Sequence, residues 1–368
     1  MLRQNKIITN KSTLRQFIQN STLATETVLL QGYINQSKSL VNVFQPPKHF
    51  SRRHGYLTAN ICGYLTPKAK YAQFKLNDGL WHKLPQGKPR APGYLFTIEL
   101  KEEELLVGKN TLTIEATNKK DQPEITYLTF DYDPTPISLP IKIDWAVNSE
   151  LESQDGYWET VSINNNWRVR PKPKFEEYDR ILNVTGAFAG GRRVETDLIF
   201  RNTGWLGWRG VRDYGFGILP LWGGHVDPEE IYPRRGWSFG IAWFYAPRRG
   251  LKNQQAPFLE AGFAYKNGGK RNQAVGNSLP FEPKTGIRYF IISECFPEVD
   301  SEGKHRCWRQ RLKWWAEGES EPEEWIESTD EIITKQGNQN LLPSGEYAVA
   351  LLTYRTQVDF GSVTVTPL

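Results

Sequence analysis

Short runs of apolar and β-branched residues, each closed by a turn signal, set the strongest limit on how this 368-residue chain can fold. Asn77-Asp78-Gly79 and Gly108-Lys109-Asn110 are tight-turn signatures, and Gln45-Pro46-Pro47 punctuates an earlier break. Met occurs once, aromatic residues make up 13%, and Gly and Pro are plentiful. That mixture is poor in helix formers and favours strands joined by turns, so the expected class is all-β. The length exceeds one average domain, which predicts two domains and an extension.

The extension is residues 1–48. Thr13 and Gln16 have capping-box spacing, which predicts a short helix near Thr13 to Gln19. Strands are expected at Thr27 to Ile34 and Leu40 to Phe44. Residues 49–136 are more regular, with strands predicted at Tyr56 to Tyr64, Tyr71 to Leu76, Tyr94 to Leu100, Thr111 to Thr117 and Thr126 to Tyr132. Five strands at such short intervals predict a small antiparallel sandwich. Pro134-Thr135-Pro136 reads as a linker. From 137 to 368 the strands and loops lengthen, with Arg193 to Arg201, Tyr214 to Leu219, Trp237 to Tyr245, Ala261 to Tyr265, Arg288 to Glu294, Trp308 to Trp315, Glu346 to Tyr354 and Val358 to Thr366 the clearest strands. This pattern predicts two stacked sheets in a jelly roll.

The net charge of +5 is mild and argues against a specific nucleic-acid partner. It is unevenly spread. A basic zone from Arg168 to Arg249 carries the pairs Arg192-Arg193, Arg234-Arg235 and Arg248-Arg249, while acids gather at Glu102 to Glu104 and Glu317 to Glu331. Such asymmetry is either a set of solvated faces or an attraction for an anionic partner such as an acidic polysaccharide. Cys62, Cys295 and Cys307 have no zinc spacing. A Cys295–Cys307 bridge across a hairpin and three free buried thiols both fit. The N-terminal residues lack the apolar run of a signal peptide, and no stretch reaches membrane-spanning length. The expectation is a soluble chain that begins in the cytosol and is not inserted in a membrane, unless a non-classical route takes it to a surface or a virion.

The segment from Tyr214 to Tyr245, YGFGILPLWGGHVDPEEIYPRRGWSFGIAWFY, interleaves tryptophan and tyrosine with six glycines. Rings set among glycines suit a surface that lies flat against a ligand. The C–H faces of sugars stack on indole, and their hydroxyls take forked bonds from arginine. The competing reading is that the rings fill a core. Trp237, Trp243 and Tyr245 share one strand face, with Ser238, Gly240 and Ala242 on the other. The small-residue face would then floor a shallow groove, and the aromatic face would be core. The preceding loop, NTGWLGWRGVRDYG, holds Trp205, Trp208, Arg209 and Arg212 after Arg201. The expected ligand-binding residues are Arg201, Trp205, Trp208, Arg209, Arg212, Trp222, His225 and Arg235.

Two resemblances bear on fold. LTANICGYLTP, KLNDGLWHKL, FTIEL, LLVGKNTLTIEAT and YLTFDYD resemble bacterial immunoglobulin-like modules that accompany glycan-active proteins. These motifs imply packing and register, and no activity. The segments Gly191 to Phe200, Gly236 to Tyr245, Arg311 to Trp325 and Val358 to Pro367 resemble the laminin-G-like branch of the concanavalin A-like sandwiches. That resemblance implies an outward acid on the early strand and a terminal strand paired beside the first. Fold does not fix function.

Hydrolases of this fold carry a second glutamate after a pair like Glu195 and Asp197, where this chain has Ile199 and Phe200. Alginate-lyase-like relatives use R-x-E-x-R, Q-x-H and a tyrosine. Arg193-Val-Glu195 opens the first motif, Asp197 replaces its second arginine, and Gln-x-His is absent. A lyase would rest on Arg193, Glu195, His225 as base and Tyr245. No cofactor is required by these patterns, and structural calcium on Asp227 and Glu229 is the one metal the His225 loop suggests. The favoured expectation is a non-catalytic protein that binds an oligo- or polysaccharide, acidic by preference. A polysaccharide lyase, or another glycan-active enzyme on the same fold, is the enzymatic alternative. A structural surface or virion-associated β-protein, with oligomers, is the third.

Overall fold

The computed structural model describes residues 39–45, 48–51, 59–84, 86–90, 93–135, 137–146, 150–172, 179–202, 213–225, 237, 239–247, 256–267, 270–331 and 345–368. Nearly all regular structure among them is strand, apart from one 3-10 turn at Glu102–Glu104. The all-β expectation holds. The helix expected near Thr13 and the strand from Thr27 lie outside the described residues.

Two sheets form from the N-terminal half. One joins Val41–Val43, Ala59–Leu65, Gly93–Leu100 and Gln86–Arg90. The other joins His49–Ser51, Pro123–Asp133, Gly108–Asn118, Ala69–Leu76 and His82–Lys83. Strict alternation along Pro123–Asp133 sends Leu128, Phe130 and Tyr132 inward, where they meet Ile61, Phe96 and Ile98 of the opposite sheet. Asn77 and Asn110 replace core contacts at the turns. The Asn77 amide donates to Asn110 Oδ1 at 3.0 Å, and Thr111 N donates to Asn77 Oδ1 at 2.8 Å.

The C-terminal half forms a larger pair. A seven-stranded sheet runs Glu152–Asp155, Asp179–Asn183, Ala348–Tyr354, Tyr214–Trp222, Phe239–Ala246, Phe258–Asn267 and Lys270–Pro280. A nine-stranded sheet runs Trp158–Ile163, Asn166–Pro171, Gln357–Phe360, Arg192–Asn202, Arg288–Val299, His305–Ala316 and Ile326–Thr329, with Ile141–Ile143 and Val363–Pro367 attached at Arg192–Asn202. Phe216, Phe244 and Leu351 of the first sheet pack on Leu198, Ile291, Leu312 and Phe360 of the second in one continuous core. The terminal strand pairs with Ile141–Ile143, the first strand of this half.

One detail of this sandwich differs from the sequence-based expectations, and one open alternative is decided. The run Val358 to Thr366 is two strands, Gln357–Phe360 and Val363–Pro367. At the break a Cβ on Gly361 would stand 2.2 Å from Asp197 Oδ1. The three cysteines are free and buried. Cys295 pairs in register with Gln310 and Cys307 with Glu298, so the two side chains leave opposite faces of the hairpin and cannot be bridged.

Candidate functional site

The glycines of Tyr214–Trp222 decide what lies on the outer face of the seven-stranded sheet. Gly215 and Gly217 sit opposite Tyr245 and Trp243. A Cβ on Gly217 would come within 2.6 Å of the Trp243 Cα, and one on Gly215 within 2.8 Å of the indole ring. With no side chain beneath them, the rings lie down on the sheet. Trp243 and Tyr245 stack at 4.6 Å and 6°, and Trp237 meets Trp243 edge-on at 5.0 Å.

Polar groups fix this row at both edges. The Trp243 indole N–H donates to Glu260 at 2.8 Å. Burial raises the Glu260 carboxyl above the usual carboxylate range, and the indole bond offsets part of that rise. At the other edge, Asp213 receives the Tyr245 hydroxyl at 3.0 Å, the Tyr354 hydroxyl at 3.2 Å and the Arg355 guanidinium. Burial first, and the Asp213 charge second, hold both phenols well above the usual tyrosine range. Arg355 takes a left-handed backbone with φ of 53°, which non-glycine residues adopt rarely. Asp213, Tyr245, Tyr354 and Arg355 are all part-exposed.

The open aromatic rim expected from the sequence is closed where it is described. Trp222 is 1% exposed, Trp243 4% and Trp237 8%. They are not sealed between the two sheets. They form a separate buried cluster on the outer face, with Ile181, Leu219, Ile241 and Leu352. The expected groove floor is also reversed. Ala242 belongs to the inter-sheet core, and a Cβ on Gly240 would meet Gln310 of the facing sheet. The small-residue face packs inward because the two sheets approach closely there.

His225 is corrected in the same way. Its side chain is fully buried, its Nδ1 lies 3.3 Å from Glu99 Oε1, and its ring packs edge-on against Trp222. It belongs to the junction between the two halves. Asn60 bonds the Gln154 carbonyl at 2.9 Å in that junction, and Phe44 stacks on Tyr157 at 5.2 Å. The four residues a lyase would need are not brought together. Tyr245 stands opposite Gly215, roughly 30 Å of extended chain from His225. Arg193 and Glu195 lie on the outer face of the other sheet, ion-paired at 2.6 Å. Asp197 is held by Arg168 and by Arg288, the latter at 2.9 Å. Arg201 binds the buried Asp359 carboxylate at 2.5 Å.

Trp205, Trp208, Arg209, Arg212, Asp227, Glu229 and Arg235 lie outside the described residues. The flanks of the Trp205–Arg212 segment, Arg201-Asn202 and Asp213, are described, and Asp213 is the centre of the tyrosine–arginine rim. No group of three or more metal-ligating side chains occurs among the described residues. Sequence reasoning missed Asp213, Glu260, Tyr354 and Arg355. The one signal for Asp213 was its place between an arginine-rich loop and the first glycine-aromatic strand.

No family model matches the chain, and no curated protein matches it. Among solved structures it is similar to the carbohydrate recognition domain of Emp47p, with 9% identity, 61% of this chain and 94% of that chain covered, and a TM-score of 0.33. It is similar to the metal-free carbohydrate recognition domain of Emp46p, with 10% identity, 57% and 87% coverage, and a TM-score of 0.31. A third is a carbohydrate-binding module of the β-sandwich superfamily, with 7% identity, 89% and 95% coverage, and a TM-score of 0.19. Scores this low leave fold and ligand to be argued from the sheets and side chains of this chain itself.

Proposed function

We propose that this protein binds glycans without catalysis, and that the seat is the Asp213 edge of the aromatic row on the seven-stranded sheet. The observation that supports this is the part-exposed set of two phenols and a guanidinium around one carboxylate, beside the Trp243–Tyr245 stack. Such a set offers fixed donors and acceptors at hydroxyl spacing next to a ring edge, which is what an oligosaccharide terminus requires. The preference for an acidic glycan rests on Arg209 and Arg212 in the adjoining segment and is the finer part of the reading.

The test is a glycan array on the full chain, with Asp213→Asn and Arg355→Ala alongside. The expected result is retention of a defined oligosaccharide set, acidic members foremost, with each variant weaker by about tenfold. An array with no retained glycan would sink the reading, as would variants that bind like the parent. Release of unsaturated uronate products would restore the lyase.

A further inference from the structure

A second aromatic surface is open to solvent, and it lies on the N-terminal half, where the sequence motifs had pointed only to packing. On the five-stranded sheet, Pro123–Asp133 turns Leu128 and Phe130 into the core and leaves Ile125 and Tyr127 outside, 48% and 66% exposed. Ala69–Leu76 likewise leaves Tyr71 outside at 42%, and Trp81, just before the edge strand, is 41% exposed. The register sets their spacing. Lys75 is opposite Thr113, and Thr113 is opposite Tyr127. The Lys75 ammonium lies 5.3 Å from the Trp81 ring. Phe74 is opposite His82, so Trp81 stands beyond Lys75 at the sheet edge, and Trp81 and Tyr127 flank the same row three strand spacings or about 14 Å apart. Tyr71 lies two rows away, opposite Thr117.

The groups between the rings are hydroxyl, amide and charged rather than aliphatic. Gln73 is opposite Glu115, and Glu115 is opposite Ile125. The Tyr71 hydroxyl lies 3.2 Å from Gln73 Oε1. Among the described residues, Ile125 on these strands and Leu80 beside Trp81, 81% exposed, are the aliphatic side chains next to the rings, a small apolar area for a protein partner to bury. Lys75, Lys83 and Lys109 stand against Glu115 and Asp131, and mixed signs give no field that would select a polyanion.

Exposed rings three strand spacings apart, separated by hydrogen-bonding groups of mixed charge, match the C–H faces and hydroxyls of a neutral sugar chain. We infer that this sheet face is a second saccharide site, one that takes an uncharged polysaccharide across the strands. It is independent of the Asp213 seat, so the two halves can hold separate chains or separate stretches of one chain. Binding at both would strengthen attachment without any new contact.

The test is affinity electrophoresis of the full chain through gels containing xylan, hydroxyethylcellulose, galactomannan or soluble starch. The variants are Trp81→Ala, Tyr127→Ala and their combination, each made also in an Arg355→Ala background in which the other seat is weakened. The expected result is retardation by at least one polymer, weakened about tenfold by each ring substitution in both backgrounds. The circular dichroism of the ring variants should match the parent, since both rings lie outside the core. Retardation by none of the four polymers would overturn the inference, as would retardation that the double variant retains. Self-association lost with the same rings, without polymer binding, would overturn it in favour of a contact between copies.

Discussion

Arg192 shows how one residue can set the geometry of the larger sandwich. Its guanidinium is fully buried and bonds the carbonyls of Phe188, Gly190, Pro220 and Tyr347, with its charge over the Phe188 ring at 4.3 Å. Burial lowers it to about 10. Removal would leave several buried carbonyls unpaired, so Arg192→Ala should lose about 3 kcal/mol in urea unfolding. Lysine should restore little, because an ammonium cannot copy a planar fork. Asp155 gives the complementary case. Burial pushes its carboxyl up to about 7, with Arg180 and His225 offsetting part of the rise. A raised folded value means that the favourable contribution is complete below the ordinary 3.8 and is lost as pH climbs through 7. Asp155→Asn should therefore be more stable than the parent above pH 7, by at most about 4 kcal/mol. The gain should vanish near pH 4. Denaturation curves at both ends of that range measure it.

Among the elements, the Arg288–Val299 and His305–Ala316 hairpin carries the clearest electrostatic pattern. Glu294 accepts from Arg193 at 2.8 Å and from Arg311 at 2.6 Å, and its side chain is only 5% exposed. Glu294→Gln should cost about 2 kcal/mol, more than loss of a solvent-exposed pair, and the loss should persist in high salt. This hairpin was legible in the sequence because its apolar positions alternate over a long run. Asp179–Asn183 and Lys270–Pro280 were not. The first begins and ends on Asp and Asn, and the second reads KRNQAVGNSLP with no apolar stripe. Such strands form because their neighbours supply the ladder, and local propensity does not report that. The site was legible to a similar degree. Aromatic residues and glycines pointed to Tyr214–Trp222 and Phe239–Ala246, the strands whose outer face carries the Trp243–Tyr245 stack. His225 is buried between Trp222 and Glu99, the second a residue of the other half, and no local pattern could reveal that contact.

At the scale of the molecule, two sandwiches present different chemistry on their outer sheets. The nine-stranded face pairs its arginines with its own acids, so its basic sequence offers little free charge. The seven-stranded face buries most of its rings and keeps a polar edge at Asp213, while the five-stranded face leaves its rings open. No helix among the described residues is long and apolar enough to cross a membrane. Because Asn60, Glu99, Gln154 and His225 meet at a buried junction, the halves should melt in one transition by calorimetry. Two resolved transitions would mean that the junction couples them weakly.

Glycan binding as proposed requires sugar to reach the half-open edge where two phenols and a guanidinium share one acid. Hydrogen–deuterium exchange of the full chain, with and without the best glycan from the array, measures this most directly. Slower exchange is predicted in peptides spanning Asp213–Tyr214 and Tyr354–Arg355, with none on the outer face around Arg193 and Arg311. Protection confined to that arginine face, or to neither face, would contradict it.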